Sequence, residues 1–231
     1  MTLRGAIFDQ DGLLFDTEKI YQANWIKSAR LQGVEIDRDF PKLFCGLGSA
    51  MIAEMSAKAY PALDIQKFCS DAVSMAWNQQ LRSIPEMKPG VVEILQFCKA
   101  NGIMTAVASS STRKVVEHNL EAAGIAQYFN AIVCGEEVER SKPAPDIFLL
   151  AARRIGIPPH QCCVFEDAFS GIKGAHAAGM SAVLIPDQRE PTDEILALCR
   201  VYPTLRDAIA IFSNCPLLDC APCKASGNSR S

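Results

Sequence analysis

Three short apolar segments of the sequence each follow a helix-like stretch that ends in glycine. The glycines are Gly102, Gly124 and Gly179, and an apolar segment begins shortly after each of them. Glycine ends helices readily because it adopts the left-handed backbone conformation without steric cost. A helix that ends in glycine and leads into a short strand is the repeating unit of an α/β fold. The pattern therefore predicts a parallel sheet with right-handed helical crossovers and helices on both faces.

Five strands are predicted from short and nearly continuous apolar runs. Such runs are typical of strands that are buried on both faces of a sheet. The predicted strands are Gly5–Phe8, Met104–Ala108, Ala131–Cys134, Cys162–Phe165 and Ala182–Ile185.

The long interval between the first and second predicted strands has helical periodicity. Tyr21, Trp25 and Ala29 are spaced by four residues, and so are Met51 and Met55. A helical block inserted into a regular strand–helix alternation indicates a separate cap. Its large apolar side chains are interpreted as packing residues; they are Trp25, Met51, Ile52, Met55 and Trp77.

These patterns predict a discontinuous domain organisation. The α/β core comprises residues 1–16 and 85–215, and the helical cap comprises residues 17–84. The segment after Cys223 is mostly small and polar, and we expect residues 216–231 to form a flexible tail.

The composition excludes some classes of partner. With 231 residues and 49% hydrophobic content, the chain can bury a core and a smaller second unit. The net charge of −3 gives no basic footprint, so nucleic acid and anionic membranes are not expected partners. The first residues resemble no signal peptide, and no apolar run is long enough to span a membrane. We therefore expect a cytoplasmic protein, monomeric or dimeric. This composition leaves room for a small phosphorylated substrate, which could bind through local Lys and Arg residues.

The 10 cysteines are expected to remain thiols in that compartment. Cys134 and the pair Cys162 and Cys163 lie in predicted strands, where a thiol packs as a small apolar group. Three further cysteines near the end of the chain contain a CxxC pair and leave metal binding open; they are Cys215, Cys220 and Cys223.

Polar and charged residues follow four of the predicted strands or lie close after them. Because the carboxyl ends of parallel strands meet at one edge of a sheet, we expect these side chains to converge. They are Asp9 and Asp11 after the first strand, Ser109, Ser110 and Ser111 after the second, Lys142 after the third, and Glu166 and Asp167 after the fourth.

This set suits magnesium-dependent phosphoryl transfer. Carboxylates that lie close together repel one another, and a divalent cation with a preference for oxygen ligands, such as Mg²⁺, removes the conflict. Asp9 can attack a phosphoryl group, and Asp11 can serve as general acid and then as general base. Ser109 can hydrogen-bond the transferring phosphoryl group, and Lys142 can stabilise its charge. Each residue alone has a structural explanation, such as Ser111 capping a helix, but their joint occurrence does not.

The sequence at this point resembles the haloacid dehalogenase-like hydrolase superfamily over almost its whole length. The segment Phe8-Asp9-Gln10-Asp11-Gly12 is similar to the first motif of that family, and Val107-Ala108-Ser109 is similar to the second. Lys142 corresponds to the third motif, and Phe165-Glu166-Asp167 to the fourth. The implied fold is α/β, with a Rossmann-like parallel sheet and an inserted helical cap like that of β-phosphoglucomutase and small sugar-phosphate phosphatases.

The resemblance also implies roles for individual residues. Asp9, the backbone carbonyl of Asp11, and Asp167 would hold magnesium, with Glu166 as a ligand or a supporter. Dehalogenases of the family lack an acid at the position of Asp11, so this residue implies phosphate chemistry. Cap residues would select the substrate, and the candidates for substrate binding are Glu18, Tyr21, Gly46, Ser49, Ser110 and Ser111.

Phosphatase activity is the leading prediction, and three alternatives stay open. The cap lacks the His that β-phosphoglucomutase carries soon after the first motif, and its Gly-containing turn, residues 44–49, lacks Lys and Arg. These departures disfavour a phosphomutase. A phosphonoacetaldehyde hydrolase would need a cap lysine for a Schiff base, and no cap lysine has a matching context. The remaining alternative is a non-catalytic binding protein on the same scaffold.

Overall fold

The computed structural model describes residues 2–44, 47, 49–187 and 190–213, and its centre is a six-stranded parallel sheet. The spatial order of the strands is β3-β2-β1-β4-β5-β6. Their bounds are β1 Gly5–Phe8, β2 Met104–Ser109, β3 Ala131–Cys134, β4 Cys162–Glu166, β5 Ser181–Leu184 and β6 Arg200–Val201.

The five predicted strands are confirmed, with small changes at their ends. Ser109 and Glu166 are the last residues of β2 and β4, whereas the sequence placed them just beyond those strands. The sixth strand was not predicted, because two exposed residues at the sheet edge carry no apolar run. The glycines that were predicted to end helices, Gly102, Gly124 and Gly179, all have positive φ angles.

Helices cover both faces of the sheet, as predicted. The helices are α1 Glu18–Leu31, α2 Ser49–Ala59, α3 Ile65–Gln80, α4 Val91–Ala100, α5 Arg113–Ala122, α6 Asp146–Ile155, α7 Phe169–Ala177, α8 Asp193–Leu196 and α9 Ala210–Ser213. Side chains of α4, α5 and α9 pack in one apolar cluster, and side chains of α6, α7 and α8 pack in another. Successive residues of β1 alternate between them: Ala6 and Phe8 belong to the first cluster and Ile7 to the second.

The segment between β1 and β2 has an apolar cluster of its own. Trp25 of α1 packs against Phe44 and against Phe68 of α3, with ring centroids 5.2 and 5.0 Å apart. The buried members of this cluster all lie within residues 25–72. This separate apolar cluster supports the division of the chain into a cap and an α/β core. The exact boundaries of the two parts stay a prediction.

The register of the sheet brings the ends of three strands together. Phe8 at the end of β1 lies beside Val107 of β2 and Phe165 of β4. The next residue, Asp9, donates its backbone N–H to the Phe165 carbonyl at 3.1 Å. Asp9 therefore follows a central strand, between the ends of β2 and β4. Within the part of the chain that the structure describes, no helix is long and apolar enough to cross a membrane.

Candidate active site

Lys142 lies at the centre of the charged residues that the sequence singled out. Its Nζ donates to Asp9 Oδ1 at 2.5 Å, to Glu166 Oε1 at 2.7 Å and to the Ala108 carbonyl at 2.9 Å. Its side chain is only 7% exposed. One buried ammonium group thus uses three acceptors at the ends of β1, β2 and β4, and it holds Asp9 and Glu166 in place.

The protonation of Lys142 and of the nearby carboxyl groups depends on burial and on one another's charge. Burial alone would lower the pKa of Lys142, but the carboxylates of Asp9 and Glu166 raise it above its ordinary value. Burial raises the pKa of Glu166 to about 7 against the opposing effect of Lys142. Burial, with the nearby charges of Glu166 and Asp9, also raises the pKa of Asp167 well above its usual range. One ammonium therefore does not balance the carboxylates around it.

The carboxylates fit a divalent cation. Asp9, Glu166 and Asp167 each offer an oxygen, and these oxygens lie within 4.8 Å of one another. Hard oxygen donors of this kind are the ligands that magnesium prefers. Glu166 is the most constrained of the three, because Lys142 uses Oε1 and the Ala168 backbone N–H donates to Oε2 at 3.2 Å.

Two glycines make room for these carboxylates. Gly12 has a φ angle of 82°, and a β-carbon at this position would collide with the Asp167 carboxylate. A β-carbon at Gly171 of α7 would likewise collide with the Glu166 carboxylate. The backbone is therefore shaped to bring the acidic side chains close to Asp9.

Asp11 lies in a different environment from that of Asp9. Ser111 Oγ donates to Asp11 Oδ2 at 2.7 Å, and the hydroxyl of the fully buried Ser109 is 3.5 Å from the same oxygen. Burial, followed by the charge of Asp9, raises the pKa of Asp11 from 3.8 to about 6. A carboxyl group with such a pKa can donate a proton and take one back near neutral pH.

Ser111 does not cap the following helix. The N-terminal cap position of α5 is Thr112, which makes no capping hydrogen bond with its side chain. The Ser111 hydroxyl contacts Asp11 instead, so the structure brings this serine into the site.

Trp77 is a site residue that the sequence interpretation missed. Its indole N–H lies 3.1 Å from both Ser111 Oγ and the Tyr21 hydroxyl, so the cap helix α3 reaches Asp11 through Ser111. Burial raises the pKa of Tyr21 above its ordinary value, so its phenol stays neutral. Both tryptophans were interpreted as packing residues of the cap. This role is confirmed for Trp25, but it does not describe Trp77 fully, because Trp77 also contacts Ser111. Neighbouring positions of α3, Phe68, Ala72 and Ala76, are fully buried, and apolar spacing alone does not separate the two faces.

A cavity of about 450 Å³ joins the acidic residues to the cap. Five of the six predicted substrate-binding residues line it; they are Glu18, Tyr21, Ser49, Ser110 and Ser111. The sixth, Gly46, lies outside the described residues, as do the cysteines after residue 213. Ile52 packs against the cap cluster, as predicted, and it also lines the cavity. Met51, which was predicted to pack, is 53% exposed.

Comparison with known proteins identifies the family. Residues 6–185 match the family described as haloacid dehalogenase-like hydrolase, and the chain belongs to that family. It is 34% identical to fructose-1-phosphate phosphatase YqaB of Escherichia coli, over 78% of this chain and 94% of that protein. It is 35% identical to the chloroplastic protein SUPPRESSOR OF QUENCHING 1 of Arabidopsis thaliana, over 78% of this chain but only 17% of that longer protein.

Solved structures share the fold. The crystal structure of β-phosphoglucomutase from Clostridium difficile matches with a TM-score of 0.72, over 92% of this chain and 98% of that one. Its sequence is 24% identical, so this likeness concerns the fold alone.

Magnesium is expected to stabilise the folded protein through Asp167. A ligand at about 100 times its dissociation constant adds about 2.7 kcal/mol to the free energy of unfolding, which raises the melting temperature by several degrees. The folded-state pKa of Glu166, about 7, lies above its ordinary value of 4.5. Without a cation, the stability that Glu166 contributes is therefore lost as the pH rises from 4.5 to about 7, and the magnesium effect grows over the same range.

Scanning calorimetry with magnesium and with a chelator measures this effect. Asp167→Asn should remove the shift, whereas Asp187→Asn should retain it, because Asp187 pairs with Lys88 outside the acidic cluster. An equal shift in the native chain and in Asp167→Asn would contradict the assignment.

The contact from Trp77 through Ser111 to Asp11 is expected to act as a unit. Trp77→Phe and Ser111→Ala should each lower kcat by about tenfold, because each loosens the same carboxyl group. The double variant should be little worse than either single variant, with a coupling energy of about 0.5–3 kcal/mol. Tyr60→Phe is the control, because its hydroxyl accepts a hydrogen bond from the Asp37 backbone elsewhere in the cap. Additive losses would show that Trp77 acts independently of Ser111.

Proposed function

We propose that this protein is a magnesium-dependent phosphatase that hydrolyses a small phosphorylated metabolite of the carbohydrate class, with Asp9 as the nucleophile. The proposal rests mainly on one observation: a buried lysine holds Asp9 beside two further carboxylates, in a cavity that also contains Asp11. The relative named fructose-1-phosphate phosphatase supports the substrate class. The cytoplasmic location and the monomeric or dimeric state stay predictions.

The first step transfers the phosphoryl group to the protein. A carboxylate oxygen of Asp9 attacks phosphorus, and the bond between phosphorus and the ester oxygen breaks. Asp11 donates its proton to the departing oxygen, which leaves as an alcohol. Lys142 stays within hydrogen-bonding distance of Asp9 Oδ1, so it orients the attacking carboxylate and places a positive charge beside the transferring group.

The second step releases phosphate and restores the protein. Asp11, now ionised, takes a proton from a water molecule, whose oxygen attacks the phosphorus of the aspartyl-phosphate. The bond between phosphorus and the Asp9 oxygen breaks, so phosphate leaves and Asp9 returns to its carboxylate form. Ser109 is proposed to hydrogen-bond the phosphoryl group, although its hydroxyl is buried and receives the Ser111 backbone N–H at 3.1 Å.

Magnesium would be held by Asp9, Asp167 and the backbone carbonyl of Asp11, with Glu166 as a ligand or a supporter. When bound, the cation would neutralise phosphoryl oxygens and remove the repulsion between the carboxylates. The raised pKa values of Glu166 and Asp167 support this assignment, because they indicate a deficit of positive charge.

A phosphomutase is the main alternative, since its fold is shared. A mutase must hold a second phosphate on the far side of its substrate. Among the described residues that line the cavity, the one base is Lys142, which already contacts two carboxylates. This arrangement favours hydrolysis over phosphate migration. A non-catalytic binding protein would have no need for the costly burial of these charges.

Replacement of the nucleophile is expected to abolish hydrolysis. Asp9→Asn should lower the release of phosphate from an aryl phosphate by about 10⁴-fold or more, because the amide cannot form the acyl phosphate. Asp39→Asn is the matched control, since this carboxylate pairs with Lys42 on the exposed surface of the cap. Full activity in Asp9→Asn, with its circular dichroism unchanged, would refute the assignment.

Replacement of Asp11 is expected to separate the two steps. With an aryl phosphate, Asp11→Asn should give a burst of one phenol per site and then slow turnover, because the leaving group needs no proton but the water does. With an alkyl phosphate the burst should vanish, and kcat should fall by about 10²–10⁴-fold. Rapid-quench kinetics measures the size of the burst and the rate of turnover for each ester.

The pH profile gives a second test of Asp11. Its protonated fraction falls as the pH rises through about 6, so kcat/KM of the native chain should decline there for alkyl esters but not for aryl esters. The same decline with both esters would argue against Asp11 as the general acid.

A further inference from the structure

The cavity has two walls of different chemistry. The wall formed by the core carries Lys142 and four carboxylates. The wall formed by the cap is largely apolar, with Glu18, Gln22 and Ser49 as its polar members apart from the tyrosine hydroxyl. The cap wall includes Ile52 of α2 and a stripe on α3, Cys69, Val73 and Trp77, spaced by four residues. These α3 residues are half-buried, whereas their neighbours Phe68, Ala72 and Ala76 are fully buried. One face of α3 therefore packs the cap, and the adjacent face lines the cavity.

Flat aromatic surface is part of this wall. Tyr21 and Trp77 are both half-buried, and the indole N–H of Trp77 contacts the Tyr21 hydroxyl at 3.1 Å. This contact fixes the two rings relative to each other. Leu47 and Phe44, on the segment that leads into α2, also line the cavity. Apolar and aromatic walls with few polar groups are typical of pockets that take uncharged rings.

The cap wall offers no cation among the residues that the structure describes. Bases of the cap pair on its exposed surface instead, as Lys42 does with Asp39 and Lys67 with Asp71. Glu18 adds a carboxylate to the cavity, and the charge of this carboxylate contributes to the raised pKa of Asp167. The three undescribed residues between Phe44 and Ser49 are Cys45, Gly46 and Gly48, which carry no positive charge. Gln22 and Ser49 are polar but uncharged, so a second anionic group on a substrate would lose its hydration without gaining a counter-charge from the described cap residues.

We propose that the substrate is a phosphate monoester whose alcohol carries an uncharged, planar ring at the end away from the phosphate. The inference rests on the proposed phosphatase function and makes its substrate class more specific. The phosphate lies at Asp9, and the ring lies against Tyr21, Trp77 and Ile52. Bisphosphates are excluded, because their second phosphate would face an apolar wall and the carboxylate of Glu18.

Three esters of the same primary alcohol test the inference. Ribose-5-phosphate is the reference, uridine-5′-monophosphate adds a planar ring to the same sugar, and ribose-1,5-bisphosphate adds a second phosphate. The leaving oxygen at carbon 5 is the same in all three, and loss of the 1-phosphate from the bisphosphate is scored separately by its product. Differences in kcat/KM for release of the 5-phosphate therefore report on contacts away from the reaction. We expect kcat/KM for the uridine ester to exceed that of ribose-5-phosphate by about tenfold or more, and that of the bisphosphate to be lower by about 10²-fold. A bisphosphate that is hydrolysed as well as or better than the others would overturn the proposal.

A cation placed on the cap wall should reverse this preference. Ile52→Lys should raise kcat/KM for the bisphosphate relative to ribose-5-phosphate by about tenfold, because it supplies the missing counter-charge. Met51→Lys is the matched control: it adds the same charge to the same helix, but Met51 is 53% exposed and does not line the cavity. An equal change in both variants would assign the effect to overall charge and would contradict the proposal.

Binding without turnover separates this inference from the proposed function. In Asp9→Asn with magnesium, quenching of tryptophan fluorescence by each of the three esters reports binding beside Trp77. Preference for the uridine ester in this assay, with no phosphate released by the native chain from any ester, would overturn the phosphatase proposal alone. Phosphate release by the native chain without the ring preference would overturn the inference alone.

Discussion

The buried ammonium group of Lys142 is the interaction on which the site depends. It donates hydrogen bonds to Asp9 and Glu166, and it also donates one to the Ala108 carbonyl of β2. Without it, several buried carboxylates would face one another with no counter-charge, which is among the most costly arrangements in a protein interior. The parallel sheet makes the arrangement possible, because three adjacent strands deliver their ends to the same point.

A second layer of contacts connects the core to the cap. Ser111 donates a hydrogen bond to Asp11 and receives one from Trp77 of α3, so the proposed general acid is connected to the cap through one hydroxyl group. Charge is concentrated on one side of the cavity and apolar surface on the other. This separation suits a reaction in which an anionic group is transferred and an uncharged alcohol departs.

The sheet was predictable from the sequence because two local signals agree. Glycines mark where helices end, and short apolar runs mark the strands that follow. The convergence of Asp9, Asp11, Lys142 and Asp167 followed from topology, since strand ends share an edge. The cap wall was harder to predict. Trp77 and Ile52 have the spacing of packing residues, and Ile52 does pack against the cap cluster. Only tertiary structure shows that both side chains also line the cavity. The strand β6 was missed because it is short and exposed.

The central claim is that Asp9 carries the phosphoryl group. The most direct measurement is acid quenching of the protein within a single turnover, followed by mass spectrometry of its peptides. With an aryl phosphate as the substrate, we expect the peptide containing Asp9 to be heavier by one phosphoryl group. Asp11→Asn should increase the amount of this peptide, because the aryl leaving group needs no proton whereas loss of the general base slows the second step. Phosphate release at the normal rate with no phosphorylated peptide in either protein, or with the label on another residue, would contradict the claim.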